Sequence, residues 1–226
     1  MTGPLFIVFE GIDGSGKDSV MHGIAGQFCD PLWILAKKKI GSKYNEILLT
    51  REPTALSHPG RQIIKKLADG SILSEKGSKT ASFYIKDRIQ HCRNIRKDLL
   101  KKRIVLCSRY DLSTYAYQMN MGHDFQSIYN DHHYSEKNGA LIPDLTVFFK
   151  INAHTALKRI QCRQNKSEAF EKYQFLHKAA QTYQAVIKLL KKTDNRNIAV
   201  IDAENPLEKV ILDVKKQIEL FIIRQS

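Results

Sequence analysis

The sequence has little of what marks several protein classes. Its 226 residues include four cysteines, six prolines, twelve glycines and one tryptophan. Cys29, Cys92, Cys107 and Cys162 are scattered with no C-x-x-C pair, so neither a zinc site nor a disulfide framework is indicated and reduced thiols are expected. So little glycine and proline excludes collagen-like and low-complexity chains. No apolar run approaches the roughly 18 residues of a membrane-spanning helix. Met1–Gly11 lacks the basic start and small-residue cleavage site of a secretory signal, so a cytoplasmic protein that does not meet a membrane is expected. Acidic residues are also in short supply: 23 Asp and Glu against 36 Lys and Arg leave a net charge of +13. Polyanions are the usual partners of such a chain, either nucleic acid or small phosphorylated ligands, and charge alone does not choose between them.

What is present is enough apolar material for a core, 42% of residues, in a length that suits one α/β domain over residues 1–226. Leu5-Phe6-Ile7-Val8-Phe9 is a continuous apolar run, the pattern of a strand buried on both faces. From Lys17 to Phe28, Val20, Ile24 and Phe28 recur every four residues and predict a helix. Asn45–Thr50 reads as a strand ending at Arg51-Glu52-Pro53, and Glu75–Lys102 carries Ile85, Ile89, Cys92, Ile95 and Leu99 at helical spacing, with a basic opposite face. Ile104–Cys107, Leu145–Ile151 and Asn197–Ile201 are strand-like, and Leu207–Ile223 is helical. This alternation predicts a mainly parallel sheet with helices on both faces and ligands at the carboxyl ends of the strands. Gly122–Gly139 and Gln161–Lys172 are polar and poorly periodic, and both are expected to be mobile loops.

The sharpest motif is Gly11-Ile12-Asp13-Gly14-Ser15-Gly16-Lys17, which matches G-x-x-x-x-G-K between a buried strand and a helix. Glycines let successive backbone N–H groups turn around phosphate oxygens, and Lys17 brings an ammonium to the β- and γ-phosphates. The loop through Asp18 and Ser19 is therefore the expected ATP site. One position departs from the pattern: the Ser or Thr that follows the lysine and ligates magnesium is Asp18 here, and Ser19 comes one residue late. A one-residue shift turns a helical side chain by about 100°, so Ser19 does not simply replace the missing ligand.

With the loop go Arg51-Glu52-Pro53, Phe83-Tyr84-Ile85-Lys86-Asp87-Arg88, Ser108-Arg109-Tyr110-Asp111 running on to Tyr115-Ala116-Tyr117-Gln118, and Pro143-Asp144-Leu145-Thr146. In this order and spacing the chain resembles the thymidylate kinase family. The resemblance implies a P-loop nucleoside monophosphate kinase fold with a five-stranded parallel sheet and a lid at about 161–172. It implies transfer of the γ-phosphoryl of ATP to dTMP with Mg2+, by a homodimer. By that resemblance Lys17 and Arg109 are catalytic, and Arg51, with Glu52 organising its loop, and Arg109 hold the acceptor phosphate. Tyr84 takes the place of the ring that stacks on the thymine, Arg88 that of the donor to the base, and Gln118 and Tyr115 lie near sugar and base.

Two departures bear on chemistry. The residue before the strand-end arginine is normally Asp in the family and is Ser108 here, as if a hydroxyl and a carboxylate had changed places across the phosphate site; Asp18 and Ser108 are the expected ligands of one magnesium ion. The lid has Ala169-Phe170-Glu171 where an arginine often precedes Phe-Glu, which makes Arg163, with Lys166 near it, the expected cation on the transferred phosphoryl. Lys37-Lys38-Lys39, Lys101-Lys102-Arg103 and Lys191-Lys192 read as solvated edges, and His132-His133 lacks a partner at zinc spacing. The expected function is a dTMP kinase binding ATP and dTMP and no nucleic acid. The alternatives are a kinase for another deoxynucleoside or nucleotide and a catalytically weakened nucleotide-binding regulator.

Overall fold

The computed structural model describes residues 5–27, 46–74, 77–162, 170 and 172–224. Five parallel strands form one sheet: β1 (Phe6–Glu10), β2 (Ile47–Arg51), β3 (Ile104–Ser108), β4 (Leu145–Lys150) and β5 (Ile198–Asp202), in spatial order β2-β3-β1-β4-β5. Register pairs Phe9 with Ser108 on one side and with Val147 on the other. Eight described α-helices accompany them: α1 (Lys17–His22), α2 (His58–Ala68), α3 (Gly77–Leu100), α4 (Asp111–Asn120), α5 (Phe125–Lys137), α6 (Ala153–Gln161), α7 (Tyr173–Thr193) and α8 (Leu207–Arg224).

The continuous apolar run of β1 is explained by its position. It is the central strand, all five residues are buried, and its neighbours β3 and β4 are buried almost throughout, whereas the edge strands β2 and β5 are only partly covered. Side chains alternate between faces. Phe6 and Val8 join Val105, Cys107, Cys92 and Ile95 under α3, while Ile7 and Phe9 join the larger cluster with Leu106, Val20, Ile24 and the helices of the other side. The α8 stripe Val210, Ile211, Val214, Ile218 and Ile222 is buried at three- and four-residue spacing, as the sequence predicts.

Two expectations are corrected. The helix predicted from Lys17 is regular only to His22; a π-type turn, Gly23–Gln27, follows, with Gly26 at φ 115°. The segment 122–139, expected to be a mobile loop, contains the thirteen-residue helix α5. Asp124 caps it, its Oδ1 accepting from the Ser127 N–H at 2.9 Å, and the buried stripe is Ile128, His132 and Ser135. Two of those three are polar, so hydropathy hides the helical period. Of the segment 161–172 expected as a lid, residues 163–169 and 171 lie outside the described residues, and Arg163 and Lys166 with them.

Candidate active site

The strand-to-helix turn after β1 is built as its glycines require. Gly14 sits at φ 79° and Gly16 at φ 82°, and a Cβ on Gly14 would stand 2.3 Å from the Ala156 carbonyl oxygen, so α6 packs directly on the loop's backbone. Lys17 is buried, and burial, with Arg109 nearby, brings its pKa down to about 8 against the pull of Asp18, Asp13 and Glu10. The Ser15 hydroxyl is buried with no partner among the described residues. An unpaired donor in such a loop suits a phosphate oxygen.

At the carboxyl ends of β1, β2 and β3 the chain turns around one cavity. Asp13 and Asp18 from the loop, Arg51 and Glu52 after β2, Tyr84 from α3, and Arg109 after β3 line it together with Pro53, Leu67, Tyr110, Ser113, Tyr117 and Phe170. Arg109 adopts φ 64°, a left-handed backbone that an ordinary side chain enters at a cost of about 1–3 kcal/mol. It pairs with Asp13, its guanidinium lies 5.0 Å from the Tyr117 ring centre, and the Tyr117 hydroxyl donates to Asp13 at 2.9 Å. Burial pushes the Asp13 carboxyl up, but Arg109, Lys17 and the Tyr117 hydroxyl outweigh it and bring its pKa to about 2. The Asp18 carboxyl is also lowered: burial raises it, and Lys17, a hydrogen bond from Ser108, Arg109 and Arg51 bring it down further. Asp18 and Ser108, the two departures in the sequence, thus meet across the loop.

Other predicted residues are buried and are not among those that line the cavity. Arg88 is 1% exposed; its Nε and Nη2 donate to Glu52 Oε2 at 3.0 and 2.8 Å, and Nη2 also to Thr114 at 3.0 Å. Its Nη1 meets His132 Nδ1 at 3.1 Å and its guanidinium covers the Tyr110 ring. Glu52 also reaches His91 at 3.2 Å. Glu52 therefore organises its loop by pairing with Arg88 and His91 on α3, while its own surface lines the cavity. Tyr115 is buried against Phe125 and His132, and Gln118 is buried with both side-chain polar atoms unpartnered among the described residues. None of the three is among the residues that line the cavity.

A second cavity adjoins the loop on the far side, between Ser15, Gly16, Ser19 and Val20 and the segment Ala203–Leu207, with Arg159 and Val210. Arg159 Nη1 donates to the Ala203 carbonyl at 2.9 Å. The sequence reading missed Arg159 and Asn205–Leu207. No local motif marks them; the nearest signal was the polar turn Asp202-Ala203-Glu204-Asn205 at the end of a strand.

As to metal, no group of three or more His, Cys, Asp or Glu gathers among the described residues. The four donors on Glu10 exclude it as a ligand: the Tyr110 and Ser113 N–H groups and the Ser113 and Tyr183 hydroxyls take both of its oxygens. Asp18 with Ser108 remains, a hard, sparse oxygen set of the kind magnesium accepts when phosphates and water complete the shell.

Comparison with known proteins agrees with this geometry. The family model described as Thymidylate kinase matches residues 9–214. A thymidylate kinase of Ureaplasma parvum serovar 3 is 30% identical over 218 residues, covering 95% of this chain and 89% of that protein. One of Limosilactobacillus reuteri is 34% identical over 218 residues, covering 94% of each. A probable thymidylate kinase of Methanocaldococcus jannaschii is 34% identical over 203 residues, covering 89% and 88%.

Proposed function

The chain belongs to the thymidylate kinase family, and from that membership we propose that it transfers the γ-phosphoryl of ATP to dTMP, giving dTDP and ADP. The observation that carries the assignment of residues is the single cavity in which Arg51, Arg109, Tyr84 and the loop residues Asp13 and Asp18 converge from four segments of the chain.

Lys17 and the backbone of Gly11–Lys17 hold the β- and γ-phosphates, and Ile12 anchors that loop in the core. The adenine lies in the second cavity, against Ser19, Arg159 and Asn205–Leu207. Arg51 and Arg109 grip the phosphate of dTMP, whose two negative charges would otherwise repel the incoming γ-phosphoryl; fixing both in line supplies most of the rate. Tyr84, partly buried against the apolar cluster, offers its ring face to the thymine, and Arg88, held by Glu52, backs the base edge. Asp18 and Ser108 would hold Mg2+, which supplies charge neutralisation across the β- and γ-phosphates. Arg163 is proposed as the lid cation. The molecule acts in the cytoplasm as a homodimer.

ADP release with ATP, magnesium and a panel of acceptors (dTMP, dUMP, dCMP, dGMP, thymidine, none) tests the reading. Selective stimulation by dTMP is expected. Stimulation by a different monophosphate would reassign the acceptor, and no stimulation by any would leave a nucleotide-binding regulator.

A further inference from the structure

Glu10, the last residue of β1, is 0% exposed, and four hydrogen-bond donors converge on its two carboxylate oxygens. Its Oε1 accepts the backbone N–H of Tyr110 at 2.8 Å and of Ser113 at 3.1 Å, which are orphan donors at the start of α4. Its Oε2 accepts the Ser113 hydroxyl at 2.5 Å and the Tyr183 hydroxyl at 3.1 Å, and those two hydroxyls lie 2.8 Å apart. Between the two strands the same region holds Arg109: its own N–H donates to the Phe9 carbonyl at 2.9 Å, and the next N–H, that of Tyr110, goes to Glu10. Arg109 is thus pinned on both sides in its left-handed backbone by consecutive residues of β1. Tyr183 reaches the same point from α7, the helix that follows residues 161–172, and its ring meets Tyr117 edge-on at 6.4 Å, the ring that lies under the Arg109 guanidinium.

We propose that Glu10 is the positioning residue of the acceptor clamp: its carboxylate caps α4 so that Arg109 faces the cavity, and Tyr183 ties α7 to that cap. Sequence pattern does not suggest this role, because Glu10 stands just before the glycine loop and points across the sheet to a helix one hundred residues later. A buried carboxylate is held there only by a matching set of donors, and all four come from the elements that frame Arg109. Without the charge, the N-terminus of α4 keeps only a neutral acceptor, the Ser113 and Tyr183 hydroxyls lose theirs, and Arg109 can relax toward an ordinary backbone, out of line with the bound phosphate. The inference rests on the reading in which Arg109 grips dTMP.

The test is dTMP affinity, measured calorimetrically without ATP, for wild type, Arg109→Ala, Glu10→Gln, Tyr183→Phe and the double variant Glu10→Gln/Arg109→Ala, with ATP affinity measured alongside. Glu10→Gln is expected to weaken dTMP binding about tenfold and Tyr183→Phe about threefold, the loss of charge-assisted and neutral hydrogen bonds respectively, with ATP affinity within about twofold of wild type. In the Arg109→Ala background Glu10→Gln should add nothing. Tyr183→Phe keeps the buried ring and guards against a variant that fails to fold. Independent, additive losses in the double variant, or a parallel loss of ATP affinity, overturns the positioning role while leaving the acceptor assignment intact. Wild-type dTMP affinity unmoved by Arg109→Ala overturns both.

Discussion

A buried ammonium in a phosphate site trades solvation for readiness. Lys17 has lost most of its water, and its pKa of about 8 means that the ligand-free protein carries the charge at neutral pH and gives it up sooner than a surface lysine would. Since only the charged form attracts ATP, affinity of ATP for the otherwise empty protein is expected to hold to about pH 7.5 and then fall toward tenfold per unit above pH 8. Titration calorimetry over pH 6.5–10 checks this; a flat profile to pH 10 would show an unperturbed lysine. At Asp18 the question is metal. The Ser108 hydrogen bond and the surrounding cations keep this carboxylate ionised, as a ligand must be. Asp18→Ala is expected to weaken Mg2+ binding in the ATP complex by at least tenfold, read by magnesium titration of nucleotide affinity, and unchanged affinity would remove Asp18 from the site. Both departures were legible as residues, and the sequence suggested their exchange. Their contact depends on the end of β3 meeting the start of α1.

Among the elements, the segment between β2 and α2 shows how a non-periodic stretch is held. Asp87 of α3 accepts the Thr54 N–H at 2.8 Å, the Thr54 hydroxyl at 2.7 Å and the Ser57 hydroxyl at 2.5 Å, and Ser57 Oγ in turn accepts the Gly60 N–H to cap α2. A Cβ on Gly60 would lie 2.0 Å from the Thr54 carbonyl oxygen, so loop and helix are in backbone contact. Asp87→Ala leaves three buried donors without their acceptor and is expected to cost about 2–4 kcal/mol in urea denaturation while raising the KM for dTMP more than that for ATP. An equal change in both constants would show that Arg51's loop is not what Asp87 holds. The helix α3 itself was readable, because five apolar residues keep its period; α5 was not, because His132 and Ser135 occupy buried positions where a pattern expects aliphatic ones. Burial of a polar residue depends on the partners that satisfy it: His132 meets Arg88 of α3, and the Ser135 hydroxyl donates to the His132 carbonyl one turn back in the same helix.

For the molecule as a whole, acid stability follows from His132. Burial, and then Arg88 and Arg196, bring its pKa down to about 3 against the pull of Asp111, so the folded chain keeps it neutral where an unfolded chain, with the ordinary value of 6.5, takes up a proton. The sign is that of a depressed group: the contribution is full above pH 6.5 and is lost as pH falls toward 3. Wild type should therefore lose stability on acidification by up to about 1.4 kcal/mol per pH unit more steeply than His132→Gln between pH 6 and 4, measured by urea denaturation at each pH. Coincident slopes would mean that His132 is protonated in the fold. Part of the positive charge lies along one described helix outside the cavity lining: α7 carries Lys178, Lys188, Lys191 and Lys192 and no acidic residue. No helix among the described residues is long and apolar enough to cross a membrane.

By itself the sequence determined the parallel α/β architecture, the phosphate loop and the family, because these rest on local spacing: apolar runs for buried strands, glycines where the backbone must turn, and motifs kept in order along the chain. Only the tertiary structure decided which of those residues share a cavity. It brought Arg51, Tyr84 and Arg109 to the lining of one cavity, left Arg88, Tyr115 and Gln118 buried outside that lining, and brought Glu10 to the start of a helix one hundred residues away. The physical reason is that a buried polar side chain goes where its partners are. Those partners are assembled by the crossovers of the sheet, which join segments the linear chain keeps apart.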